Sequence, residues 1–241
     1  METILDYFDD TYRFTSKGQI LRIANDGQEY YAVTDRTIFY PQGGGQPADR
    51  GFLLIQGTSL AVKSVRFAEG EVRHFADASG ITGSKDGEII FNVDPEARIL
   101  HAKLHTAGHL IANLVESQIP DAFAIKGFHF PDGPYVEFQE PASGWEDLTD
   151  CEQWNDKIHE AVGLDFPTTA SVTNLDELVK LGARIPANLP DNKPIRVVRI
   201  GNYLPIACGG THVKSLAELG VVRVTKIQKK SGHIRFSYRL A

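Results

Sequence analysis

Hydrophobic residues in the first part of the chain fall into short alternating runs. These are Ile20–Ile23, Tyr30–Val33, Arg36–Tyr40, Phe52–Ile55 and Leu60–Phe67, broken by Gly, Asn and Asp. Alternation with period two is the mark of half-buried strands, and the breaks are turn formers. The pattern predicts a small antiparallel β-barrel over residues 1–93. At Asp94 the period changes. Asp94 can cap a helix and Pro95 suits its first position. Ile99 or Leu100, Leu104, Ala107, Leu110 or Ile111, and Leu114 then follow at helical spacing, which predicts a helix over 95–116. A second helix is expected over 150–162, with Cys151, Trp154, Ile158 and Ala161 or Val162 on one face, so Cys151 reads as structural. A third is expected over 175–182, capped by Asn174. Strands are expected at Val136–Gln139, Thr168–Val172, Ile195–Ile200, Gly220–Lys226 and His233–Tyr238, the last two as a hairpin around Lys229–Gly232. The fold class is therefore α+β: an N-terminal small β-barrel (1–93), then an α+β domain (94–241) with a mainly antiparallel sheet.

Composition changes this picture little. Apolar residues make up 42% and charged residues 23% of 241, an ordinary globular balance. No run approaches the roughly 18 apolar residues of a membrane helix. The opening METILDYFDD lacks the pattern of a secretory signal. Two cysteines, Cys151 and Cys208, argue against a disulfide framework and fit a reducing compartment, so a cytoplasmic protein without a membrane partner is expected. The net charge of -6 weighs against a broad nucleic-acid footprint. It leaves room for a local basic patch.

Three segments could carry chemistry. His105 and His109 stand four apart in HTAGH, so both imidazoles leave one helix face and can reach one metal ion. Such a pair also occurs as plain polar helix surface, and His101, one turn earlier, could pair with His105 equally well. Cys208 and His212 stand in CGGTH, where two glycines favour a tight turn that folds thiolate and imidazole towards one point. Leu204–Ala207 precede them as an apolar lead-in that would place Cys208 at the edge of the core, and a buried free cysteine is often only a small hydrophobe. Together the two motifs supply four ligands of the types zinc prefers. The third segment is PQGGGQPADRG, Pro41–Gly51. Its glycines would let backbone amides approach a ligand and Gln46 could hydrogen-bond from the loop, though a flexible hairpin turn explains it equally. No GK[ST] follows, so it is not a P-loop and no nucleotide cofactor is expected.

In combination the HxxxH, CGGTHV and FYPQGGGQPADRG segments resemble the AlaX family of alanyl-tRNA editing proteins and the editing domain of alanyl-tRNA synthetase. The resemblance runs from about Phe39 to the last strands. It implies a barrel followed by an α+β editing domain, hydrolysis of serine or glycine wrongly esterified to alanine tRNA, and Zn²⁺ held by His105, His109, Cys208 and His212. His101 has no ligand counterpart in the family pattern. The chain is too short to hold an aminoacylation machinery, so it would act in trans on the acceptor end of mischarged tRNA. One segment departs from the pattern. Where synthetase editing domains carry a polar residue facing the amino acid, this chain reads Ala124–Gly127, with Ile125 at that place.

An aminoacyl ester is already activated, so the site needs chiefly to position it, supply water and stabilise the oxyanion. Zn²⁺ would activate water or hold the substrate's amino group. Four protein ligands make a closed tetrahedron, whereas catalysis wants an open position, so one ligand is expected to be loosely held. Rejecting alanine requires a polar group for serine's hydroxyl, and the candidates are Thr106, Thr211, His129 and Gln46. For RNA the candidates are Lys229, Lys230, Arg235, Arg239, Arg223 and Lys226, which a solvated sheet face would also explain. Competing readings are a zinc hydrolase of small molecules, a non-catalytic zinc-stapled tRNA-binding module, and editing of serine on threonine tRNA.

Overall fold

The computed structural model describes residues 2–77, 87–119, 121–141, 148–183, 194–230 and 232–241. They form two compact units, Met1–His101 and Ala102–Ala241.

The first unit holds β1 (Ile4–Leu5), β2 (Thr15–Asn25), β3 (Tyr30–Thr34), β4 (Arg36–Thr37), β5 (Gly51–Ile55), β6 (Thr58–Ala68), β7 (Glu71–Ala76), β8 (Glu88–Val93) and the start of α1 (Pro95–Gln118). Six of these strands close into a barrel in the order β2-β3-β7-β6-β5-β8. Closure leaves no edge strand to be paired or protected. Its interior is filled by Ile20, Leu53, Ile55, Val65, Val72, Ile89 and Phe91, the inward members of the alternating runs. The run Arg36–Tyr40 differs from its expected strand. Only Arg36–Thr37 pairs, parallel to β1, while Ile38–Tyr40 is buried but irregular. Its main chain is held instead by side chains. Arg98 donates to the Ile38 carbonyl, and the Tyr40 N–H donates to Asp49.

Gly51 opens β5 at φ 149°, and a Cβ there would lie 2.0 Å from the Asn92 carbonyl oxygen on β8. Only glycine fits so close to a neighbouring backbone. Gly51→Ala is therefore expected to destabilise the barrel by more than about 1 kcal/mol, read as a lower urea midpoint. A midpoint equal to that of the parent would mean the two strands can part at no cost.

The second unit holds the rest of α1, then β9 (Ala124–Phe128), β10 (Tyr135–Gln139), α2 (Cys151–Gly163), β11 (Thr168–Thr173), α3 (Leu175–Lys180), β12 (Ile195–Ile200), β13 (Ile206–Ala207), β14 (Val222–Lys230) and β15 (His233–Leu240). The sheets are antiparallel, ordered β14-β15-β10-β9 and β11-β12-β13. With the closed barrel they make an α+β fold. The expected hairpin is β14–β15; Ser231, between the two strands in sequence, lies outside the described residues.

Each helix begins where a side chain satisfies its first free amides. Asp94 accepts from the N–H groups of Glu96 and Ala97, Asp150 from Glu152 and Gln153, and Asn174 from Glu177. Leu110, Ile111 and Val115 of α1 share one core with Trp154 and Ile158 of α2 and with Phe138 and Phe236 of the sheet. Trp154 meets Phe236 edge-on at 5.6 Å. Cys151 packs at the border of that core, as its helix face predicts. No helix among the described residues is long and apolar enough to cross a membrane.

Candidate metal centre

The second unit brings His105, His109, Cys208 and His212 together, with one ligand atom of each lying within 4.8 Å of the others. Cys208 Sγ is 3.5 Å from His105 Nε2 and 3.3 Å from His212 Nε2. A tetrahedral zinc, with Zn–N about 2.05 Å and Zn–S about 2.3 Å, would have N···S edges of about 3.6 Å. The donor types and these separations fit such an ion, and a side-chain-scale contraction closes the set.

Each partner is positioned by its element. His105 and His109 sit one turn apart on the inward face of α1, their rings 4.9 Å apart. The CGGTH turn is pinned by Arg196 of β12, whose Nη1 donates to the Cys208 carbonyl at 2.7 Å and to the Gly210 carbonyl at 3.1 Å. The Cys208 N–H donates back to the Arg196 carbonyl, and the Gly210 N–H donates to Sγ at 3.2 Å. Leu204, in the apolar lead-in, is itself half exposed, while Pro205 is buried.

Thr106 is fully engaged within the protein. Its hydroxyl has one proton, donated to the Ala102 carbonyl at 2.8 Å. The Val213 N–H donates to the oxygen at 3.2 Å, and His212 Nδ1 lies 3.0 Å away. With the hydroxyl proton spent, the remaining lone pair accepts from His212 Nδ1–H. His212 is thereby fixed in the tautomer whose Nε2 lone pair faces Cys208.

Burial lowers the basicity of every imidazole here. His105 and His212 are held well below the ordinary value, by desolvation first and by neighbouring histidines second. His109 is lowered to about 3 and His129 to about 4, again by burial. All four rings are therefore neutral near pH 7 and keep a lone pair. Burial also pushes the Cys208 thiol up to about 11, and only a bound cation would make it a thiolate.

The remaining sequence candidates divide. Thr211 is buried in the CGGTH turn, and His129 stacks on His105 with ring centroids 4.6 Å apart. Gln46 lies in the barrel unit, buried, in a turn closed by paired backbone hydrogen bonds with Gly43. His101 is also buried, and its Nδ1 has no hydrogen-bond partner; the ligand cluster does not include it. Ile125 stands on β9 and is 41% exposed. Sequence reasoning passed over Arg196 and Tyr238. An arginine in the otherwise apolar strand Ile195–Ile200, which also carries Arg199, was the available signal for the first.

Comparisons with known proteins point to tRNA synthetases and alanyl-tRNA editing proteins. Residues 5–97 match the family model of tRNA synthetases class II (A), and residues 195–236 match the Threonyl and Alanyl tRNA synthetase second additional domain. Alanyl-tRNA editing protein AlaX-M of Methanosarcina barkeri is 29% identical, over 96% of each chain. AlaX-L of Pyrococcus horikoshii is 28% identical over 95% of this chain and 55% of its own. Alanine–tRNA ligase of Pyrobaculum neutrophilum is 31% identical over 96% of this chain, which spans only 26% of that longer protein. Barrel, second additional domain and three-histidine, one-cysteine cluster together define a module of the tRNA synthetase class. Within that class the matches support an AlaX-type alanyl-tRNA editing protein.

Proposed function

We propose that the protein is a zinc-dependent hydrolase that removes serine, and also glycine, from alanine tRNA in trans, in the cytoplasm. The observation that carries this reading is the four-ligand cluster in a chain similar to AlaX-M along nearly its whole length. When bound, Zn²⁺ would supply a Lewis acid for the ester carbonyl or for water. The chain's own residues do the rest. Thr106 acts through His212 rather than on the substrate, and Arg196 holds the turn. His109, whose Nδ1 has no hydrogen-bond partner, is the ligand held least and the one expected to yield an open position. For the acceptor end of the tRNA, Arg223, Lys226, Lys230 and Arg239 are exposed on β14 and β15. Arg235 and Lys229 are engaged by Glu137 and Glu140. The division of labour follows the sequence: a barrel over 1–93 and a zinc-binding editing domain over 94–241.

The test is deacylation of serine-charged and alanine-charged alanine tRNA, with and without a chelator. Chelator-sensitive loss of serine but not alanine is expected. Binding without hydrolysis would favour a zinc-stapled tRNA-binding module instead. The match to a domain shared with threonyl-tRNA synthetase favours one second reading, removal of serine from threonine tRNA, and a swap of tRNA separates the two.

Thr106→Val removes the acceptor for His212 Nδ1–H with little change of volume. It should weaken zinc affinity about 10- to 100-fold, measured by competition with a chromogenic chelator, while Thr106→Ser stays near the parent. Equal affinities for all three would show that the hydroxyl does not orient the ring.

A further inference from the structure

A fourth imidazole, that of His129, stands against the metal cluster with a specific hydrogen-bonding state. Its Nδ1 lies 2.7 Å from the Tyr238 hydroxyl, which lies 2.8 Å from the Leu104 carbonyl. A carbonyl can only accept, so the phenol proton goes to Leu104. The phenol oxygen must then accept from His129, which places the imidazole proton on Nδ1. Nε2 is left as a bare acceptor, with no hydrogen bond to any described residue, on a side chain only 3% exposed.

Two glycines make room for this ring. A Cβ at Gly108 would lie 2.2 Å from His129 Cε1, and one at Gly127 would lie 2.3 Å from Nε2. Gly108 sits inside a 24-residue helix, where glycine costs about 1 kcal/mol against alanine. A helix that carries this cost beside a metal cluster has a use for the space. The space is filled by His129, stacked on the candidate ligand His105 with planes 24° apart.

We propose that His129 Nε2 accepts a hydrogen bond from the side-chain hydroxyl of the wrongly attached amino acid and so separates serine from alanine. This rests on the editing reading above. Every aminoacyl ester has the same α-amino group and carbonyl, so contacts to those cannot discriminate. A buried acceptor can. Serine's hydroxyl satisfies it and glycine leaves room for a water to do so, whereas alanine's methyl leaves it desolvated and unpaired. Ile125 supplies no such group, so the polar contact comes from the ring two positions beyond Gly127.

The test uses two non-hydrolysable probes, the 3′-seryl-amide and 3′-alanyl-amide of adenosine, titrated into the zinc-loaded full chain. The parent is expected to prefer the seryl probe by about 10²-fold. His129→Phe should bring the two within a few-fold at unchanged zinc content, and His129→Gln, which keeps an acceptor, should restore part of the preference. A His129→Phe protein that keeps its zinc and its full preference overturns the proposal while the parent's deacylation of serine leaves the editing reading standing. A parent that deacylates no serine ester overturns both. Should His129→Phe fail to fold, the parent alone decides through long-range ¹H–¹⁵N correlation of its imidazoles. A protonated Nδ1 on His129 is expected, and a protonated Nε2 overturns the proposal.

Discussion

Cys208→Ala is expected to abolish zinc binding and to lower deacylation of serine-charged tRNA by at least about 10³-fold, the order of loss when a principal electrostatic catalyst is removed. The reason lies in the position of the sulfur. Sγ lies within 3.5 Å of two imidazole nitrogens and accepts the Gly210 N–H, so it joins the helix half of the cluster to the turn half. It is also the only group of the four that can bring negative charge to the ion. Three neutral imidazoles alone would hold zinc far more weakly, because a thiolate offsets both desolvation and charge. The effect should be larger than that of Thr106→Val, which disturbs one ligand's orientation and leaves all four donors in place. Metal content by atomic absorption and initial deacylation rates check the two halves of the expectation separately. A variant that lost its zinc yet kept its rate would make the ion a structural staple and leave hydrolysis to other groups. One that kept both would remove Cys208 from the site.

How much of this was legible in the sequence depended on distance along the chain. The α1 helix was readable because its cap, its proline and its apolar stripe are local, and the two metal motifs because four-residue spacing fixes a common face or a tight turn. That HTAGH and CGGTH converge was not readable from their spacing, since about a hundred residues separate them; only the family resemblance implied it. Arg196, Tyr238 and the open nitrogen of His129 were hidden for the same reason. Tyr238 is 109 positions from His129 and 134 from Leu104, and in sequence it is one aromatic in an alternating strand. The barrel was read with two strands missing. β8 alternates cleanly, with Ile89, Phe91 and Val93 turned inward, and period two could have found it. β7 could not be found that way, because it buries His74 between Val72 and Phe75 and breaks the simple polar–apolar count. His74 is tolerated there because it reaches Thr37 and the Ala32 carbonyl.

The PQGGGQPADRG segment was read for its glycines, yet its aspartate makes the stronger structural claim, and this leads to the second large expectation. Arg98→Ala should destabilise the barrel unit by about 3–5 kcal/mol. Arg98 and Asp49 are both fully buried. The guanidinium Nε lies 2.9 and 3.0 Å from the two carboxylate oxygens, and Nη2 also bonds Oδ2. The remaining donors reach the carbonyls of Thr11 at 3.0 Å and Ile38 at 2.5 Å, while Asp49 accepts the Tyr40 N–H at 2.6 Å. One ion pair thus ties the start of α1, the N-terminal segment, the irregular Ile38–Tyr40 stretch and the glycine-rich loop into one piece. Deleting the arginine strands a buried carboxylate and removes the guanidinium donors to the Thr11 and Ile38 carbonyls, each an added cost. For a unit of this size the loss corresponds to a drop in Tm of about 10 °C or more. The double change Arg98→Met with Asp49→Leu removes both charges and should recover much of that loss, because the penalty belongs to the unpaired charge rather than to the absence of the pair. Thermal melts of the parent, both single variants and the double variant make the comparison. If Arg98→Ala melts within about 2 °C of the parent, water reaches Asp49 and the pair is not sealed. If the double variant is no better than the single ones, what matters is the guanidinium's bonds to the Thr11 and Ile38 carbonyls, and the carboxylate serves only to aim them.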